Sequence, residues 1–136
     1  MEKIYESNYM TLYFCTKDNI IEEVWNETSE KMKEKEFQTE ILTTLKYMEI
    51  HQAKYYLVNA KLLHFTISVE LQAWMFQDFI TPFLKLGIYY AAFVMPTEII
   101  TQLSIEQTTD EESDGMFHRR FFDNKKEALN WLKSHS

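Results

Sequence analysis

The sequence predicts an α/β fold: a single mixed, mostly parallel five-stranded sheet with about four helices, in the order ββαβαβαβα. Three observations carry that reading. Ala53–Ala60 and Ile88–Met95 are short apolar runs rich in aromatic and β-branched residues, each of strand length and the second stopped by Pro96. Between them Leu71, Trp74, Met75, Ile80, Phe83 and Leu84 recur with helical spacing, and two such strands joined by a helical crossover form a βαβ unit. Upstream, two further strand-like runs flank the turn-forming Lys17-Asp18-Asn19, which predicts an antiparallel hairpin.

In chain order, residues 1–8 read as an N-terminal tail. Tyr9–Cys15 and Ile20–Trp25 are the hairpin strands. Thr28 or Ser29 is placed to cap a long helix with the apolar stripe Phe37, Ile41, Leu45 and Met48, leaving Lys31, Lys33, Glu34, Lys35 and Glu40 facing water. After the Ala53–Ala60 strand, Thr66 or Ser68 caps the crossover helix. Pro82 should bend or divide it, and Gly87 supplies the left-handed position at its end. Thr97 opens a short helix through Ile99, Ile100 and Leu103, and 106–116 reads as an acidic mobile loop. His118–Phe122 is the last strand, and Asn124-Lys125-Lys126-Glu127 is a capping box for a closing helix with Ala128, Leu129, Trp131 and Leu132 on one face.

Composition narrows the function. The length of 136 residues suits one domain, and a net charge of −7 argues against nucleic-acid binding, which rests on clustered Lys and Arg. No apolar leader and no run of membrane-spanning length is present, and the single Cys15 has no partner for an internal disulfide. A cytoplasmic, reducing setting is the expectation. No nucleophile stands beside a base, and His51, His64, His118 and His135 lack metal-ligand spacing, so a non-enzymatic protein without metal or cofactor is expected.

The strands are apolar on both faces. Tyr55 and Leu57 oppose Tyr56 and Val58, while Tyr90, Ala92 and Val94 oppose Tyr89, Ala91 and Phe93. Right-handed crossovers put the connecting helices on one side, so the other face is expected to lie open. A monomer rarely exposes so large an apolar patch, which predicts self-association as a homodimer or binding to another protein.

The ending Phe121-Phe122-Asp123-Asn124-Lys125-Lys126-Glu127-Ala128-Leu129-Asn130-Trp131-Leu132 resembles that of small bacterial STAS-like proteins. Trp74, Pro82, Gly87 and Ala92–Pro96 look like that group's central helix and strand, and the likeness spans Tyr9 to Leu132. It implies the βα superhelix of anti-sigma-factor antagonists, a fold also likened to CRAL-TRIO lipid-binding domains, and a protein-interaction or regulatory role. Those antagonists carry a phosphorylatable Ser in an Asp-Ser-Ser-Gly type motif after a central strand. Here 59–68 reads Asn-Ala-Lys-Leu-Leu-His-Phe-Thr-Ile-Ser, so a phospho-switch would fall to Thr66 or Ser68.

Ligands of open α/β sheets gather outside the carboxyl ends of the strands. Asn59, with Lys61, His64 and Ser68, is therefore the expected polar mouth, and a small apolar ligand or lipid would lie between Trp74, Phe76, Phe79 and the strand ends. Other residues read more plainly. Cys15 is a packed side chain, Asp78 an exposed helical acid, and Glu22 and Glu23 point to opposite faces of their strand. Arg119 and Arg120 with Lys125 and Lys126 form the one basic concentration, read as one strand residue facing water and a solvated first helical turn.

Overall fold

The two apolar runs pair as parallel neighbours at the centre of a mixed sheet, where strands apolar on both faces belong. A computed structural model of the chain describes residues 1–102, 112–114 and 116–135. Within them the strands are β1 (Glu2–Glu6), β2 (Met10–Cys15), β3 (Ile20–Trp25), β4 (Tyr55–Asn59), β5 (Tyr90–Val94), β6 (Glu112–Asp114) and β7 (Phe117–Phe122), in the spatial order β1-β2-β3-β4-β5-β7-β6. β3, β4, β5 and β7 run parallel, while β1–β2, β2–β3 and β6–β7 pair antiparallel.

The sheet thus has seven strands among the described residues, against the expected five. β1 occupies what reads as a tail. Its charged ends Glu2 and Glu6 mask the strand signal, and a register shift between Lys3 and Tyr5 breaks the alternation. β6 falls in the acidic stretch 106–116, where only 112–114 and 116 are described. Leu103, expected to extend the short helix after Pro96, lies outside the described residues.

The helices are α1 (Glu34–His51), α2 (Val69–Met75), α3 (Thr81–Lys85), α4 (Thr97–Gln102) and α5 (Lys125–Lys133). Phe37, Ile41 and Met48 of α1 pack with Leu71 of α2 and Phe83 of α3 over one sheet face, built by Met10, Leu12, Ile21, Trp25, Tyr56, Val58 and Ala91. The crossover helices therefore share a side, as the handedness rule requires. The opposite face is not open. Ala128, Trp131 and Leu132 of α5 bury Ile20, Leu57, Ala92, Val94 and Phe122. The crossover rule does not bind α5, because a helix after the last strand links no parallel pair and is free to turn back onto the uncovered side.

Local chemistry sets the boundaries. Proline in a helix removes a donor, so the carbonyl four residues earlier loses its partner. Just ahead of Pro82 the chain answers with a π-helical turn over Phe76–Ile80, closed by Thr81 N–H donating to the Phe76 carbonyl. Gly87 sits at φ 88°, the left-handed conformation that ends the crossover helix. Ser68 Oγ accepts from Leu71 N–H at 3.1 Å and caps α2, and Asn124 Oδ1 accepts from Glu127 N–H at 2.9 Å and caps α5.

Two expectations about α1 change. The helix begins at Glu34, with Lys33 N–H donating to Glu36 Oε1 at 2.9 Å, so neither Thr28 nor Ser29 caps it. They lie in a 3₁₀ turn over Glu27–Lys31 instead. The buried Ser29 hydroxyl donates to the Leu62 carbonyl at 3.1 Å and accepts from His64 N–H at 3.0 Å, tying that turn to the loop after β4. Glu40 does not face water but is 4% exposed, because the unexpected β1 covers it. Tyr5 Oη donates to Glu40 Oε1 at 2.8 Å, and Ser7 Oγ donates to Glu40 Oε2.

Candidate functional site

Between the sheet and the α1–α3 layer lies a cavity of about 210 Å³. Its floor is the carboxyl-terminal half of β3 and β4, through Trp25, Val58 and the adjoining Ala60. Its walls are Phe37 and Ile41 from α1 on one side, and Phe79 and Phe83 from the crossover helix on the other. The residues that are only partly buried mark the rim: Leu63 and Ile67 from the loop after β4, and Met95 and Phe121 beyond β5 and on β7. The π-helical turn contributes directly, since Phe79 and Ile80 both line the space. A widened turn re-aims side chains relative to a regular helix, which is one reason such turns recur at functional sites. Rings meet edge-on around Tyr56, at 65° to Phe79 and 63° to Phe83, so the aromatic walls are mutually braced.

One charged side chain belongs to this lining. Glu23 is 1% exposed, in mid-strand between the apolar Ile21 and Trp25. Tyr56 Oη and Thr44 Oγ1 stand 2.8 and 2.9 Å from Glu23 Oε1, and Trp25 Nε1 donates to Oε2 at 2.7 Å. These partners are neutral, so they stabilise the carboxylate without cancelling its charge. Desolvation therefore wins: burial pushes the Glu23 carboxyl up to about 6, with the charge of Glu40 acting in the same direction and the three hydrogen bonds opposing it. Burial and the neighbouring Glu23 charge hold the Tyr56 phenol well above its ordinary range, so Tyr56 stays a donor.

On the other face Glu22 is also buried, and Lys125 Nζ stands 2.9 Å from its Oε1. Lys125 is thus more than the solvated residue the sequence suggests. Glu22 and Glu23 do point apart, each to its own partners. Arg119 is exposed, while the half-buried Arg120 lies over the Phe122 ring at 5.4 Å. Asp78 is exposed.

The expected site residues are placed as follows. Asn59 lies in a surface depression with Tyr13, Glu22, Val24 and Lys125, on the α5 side of the sheet, and its Oδ1 accepts from Lys61 N–H at 3.3 Å. Exposed His64 is held through its backbone by Ser29. Ser68 donates to Glu34 Oε1 at 2.9 Å besides capping α2, and Thr66 is exposed. A phosphate on Ser68 would meet that carboxylate. Trp74 is half-buried outside the cavity lining and Phe76 is 61% exposed, whereas Phe79 does line it. None of the described pockets brings Asn59, Lys61, His64, Ser68 and Trp74 together. Sequence reasoning missed Glu23, although the signal was there: an acid at an inward register position of the apolar run Ile-Ile-Glu-Glu-Val-Trp.

Fold and site together define an α/β sheet domain with an apolar cavity over the carboxyl ends of parallel strands and one buried acid in its lining. No protein-family model, curated protein or solved structure matches the chain. Among the described residues no three His, Cys, Asp or Glu are grouped to hold a metal ion, and no helix is long and apolar enough to cross a membrane.

Proposed function

We propose that this chain is a binding module for a small, uncharged, largely hydrocarbon ligand, held between β3–β4 and the α1–α3 layer. The observation that carries the reading is the cavity of about 210 Å³, walled by braced aromatic rings and placed where open α/β sheets bind ligands. An apolar cavity of roughly 150 Å³ takes up benzene, so this one suits about eight to ten non-hydrogen atoms. A lipid chain of about fourteen carbons is too long to be enclosed, which favours a small molecule over a lipid. The reading is of binding rather than transformation, since the one carboxylate in the described lining is already engaged by three donors, the neighbouring Tyr56 phenol among them.

Toluene is the test probe. It should raise the melting temperature and shift the amide resonances of Phe79, Val58 and Ala60. Ala60→Leu, which fills part of the space, should abolish both effects while retaining a folded spectrum. Wild-type protein that takes up no small apolar probe would refute the reading.

A second reading is supported by Val69 and Phe76, which are 77% and 61% exposed and stand seven residues apart on the outer side of the crossover helix. We propose for that strip a protein-interaction role of the STAS-like kind that the closing motif resembles, with a homodimer as the simplest form. Sedimentation at low micromolar concentration should give a dimer that Val69→Asp and Phe76→Asp together dissociate. A wild-type monomer would end that reading.

A further inference from the structure

Rings make up much of the cavity wall. Of the seventeen described residues that line it eight are aromatic, whereas aromatic residues are 15% of the chain. They come from separate elements: Trp25 from β3, Tyr56 from β4, Phe37 from α1, Phe79 and Phe83 from the crossover helix, and Phe121 from β7. Met75 and Met95, both partly buried, add sulfur at the rim. Glu23 is engaged by three protein donors, so what the wall offers a guest is ring carbon, aliphatic carbon and sulfur.

A ring is more than apolar area. Its face is negative and its edge positive, and a pair that sets edge against face gains about two- to tenfold in an equilibrium constant beyond burial. The wall already uses that match. Tyr56 meets Phe79, Phe83 and Phe93 at 65°, 63° and 73°, and Phe83 meets Phe117 at 88°. A guest ring can lay its edge on a wall face or its face on a wall edge, so the gain does not depend on how any one wall ring is turned. Methionine sulfur favours a ring partner as well. A saturated guest of equal size gains dispersion but has no quadrupole to match.

We propose that the ligand is an aromatic molecule of one benzenoid ring, or two fused rings, with apolar substituents only. This rests on the small-ligand reading above and adds the chemistry of the guest: the cavity selects a π-system over a saturated hydrocarbon of the same size. A volume of about 210 Å³ holds one ring with short substituents or a fused pair.

Toluene and methylcyclohexane share a carbon skeleton and differ in the π-system. Both are volatile, so headspace partitioning over a solution of the protein gives their binding constants. Dividing each constant by that compound's water-to-hexane partition constant removes the difference in hydrophobicity. Toluene should then be retained about two- to tenfold more strongly than methylcyclohexane. Phe79→Leu and Phe121→Leu each exchange a ring for a branched alkyl chain and should lower that ratio while methylcyclohexane is still bound. If a variant does not fold, the wild-type ratio decides alone. A wild-type ratio of one or below, or a ratio unchanged in both folded variants, would overturn the aromatic inference and leave the small-ligand reading standing. Retention of neither compound would bring down both.

Discussion

Glu23 should make the fold less stable as pH rises through weakly acidic values. Its carboxyl sits at about 6 in the folded chain against an ordinary value of 4.5, so the folded state holds this proton more tightly than the unfolded state does. Stability is therefore greatest below 4.5, falls between 4.5 and 6 and levels off above that. At about 1.4 kcal/mol per pH unit, the difference corresponds to a loss of about 2 kcal/mol. The groups that bear on Glu23 are the Tyr56 phenol, the Thr44 hydroxyl, the Trp25 indole and the Glu40 carboxylate. Other carboxylates titrate in the same range, so the measurement is a difference. Urea unfolding of wild type and Glu23→Gln is followed from pH 4 to pH 7. The variant carries its own penalty, because its amide nitrogen faces a donor, but that penalty does not titrate. The wild type should lose about 2 kcal/mol relative to the variant across the interval. Parallel curves would show that Glu23 is not held in a dry site, and the account of the cavity floor would fail with it.

Three further outcomes follow from the packing. Trp131→Ala removes the largest side chain that α5 lays on the second sheet face and should cost about 3–5 kcal/mol, with new binding of a hydrophobic dye. Ser29→Ala deletes the hydroxyl that holds both Leu62 and His64; it should cost about 1–3 kcal/mol and speed amide exchange at His64. Lys125→Met leaves Glu22 buried without its cation. Since Lys125 is about half exposed, the cost should be near 1–2 kcal/mol, and Glu22→Gln in the same chain should recover most of it in a double-mutant cycle.

The hairpin, the central βαβ unit, the Pro82 interruption and the closing helix were legible because each rests on local pattern: alternation, helical spacing, a missing N–H, a cap. What escaped depends on partners distant in the chain. Glu2–Glu6 carries a weak strand signal and becomes β1 because β2 offers it an edge. Once β1 is missed, Glu40 looks solvated; with β1 in place, Tyr5 and Ser7 bury it. Ser29 looks like a helix cap until the loop at Leu62–His64 arrives beside it. Reading the second face as open failed for a similar reason, since nothing local says to which side a final helix will return. For the site, strand parity separated Glu22 from Glu23 correctly. It did not indicate that Thr44 and Tyr56, 21 and 33 residues away, would meet Glu23.

The shielding of Leu57, Ala92, Val94 and Phe122 by α5 also has a meaning in time. A ribosome makes Lys125–Lys133 after every strand that the helix protects, so a nascent chain halted behind β7 presents Leu57, Ala92, Val94 and Phe122 with no lid yet synthesised. Such an intermediate is a natural client for a holding chaperone, and the appearance of a single tryptophan-bearing turn is what releases it.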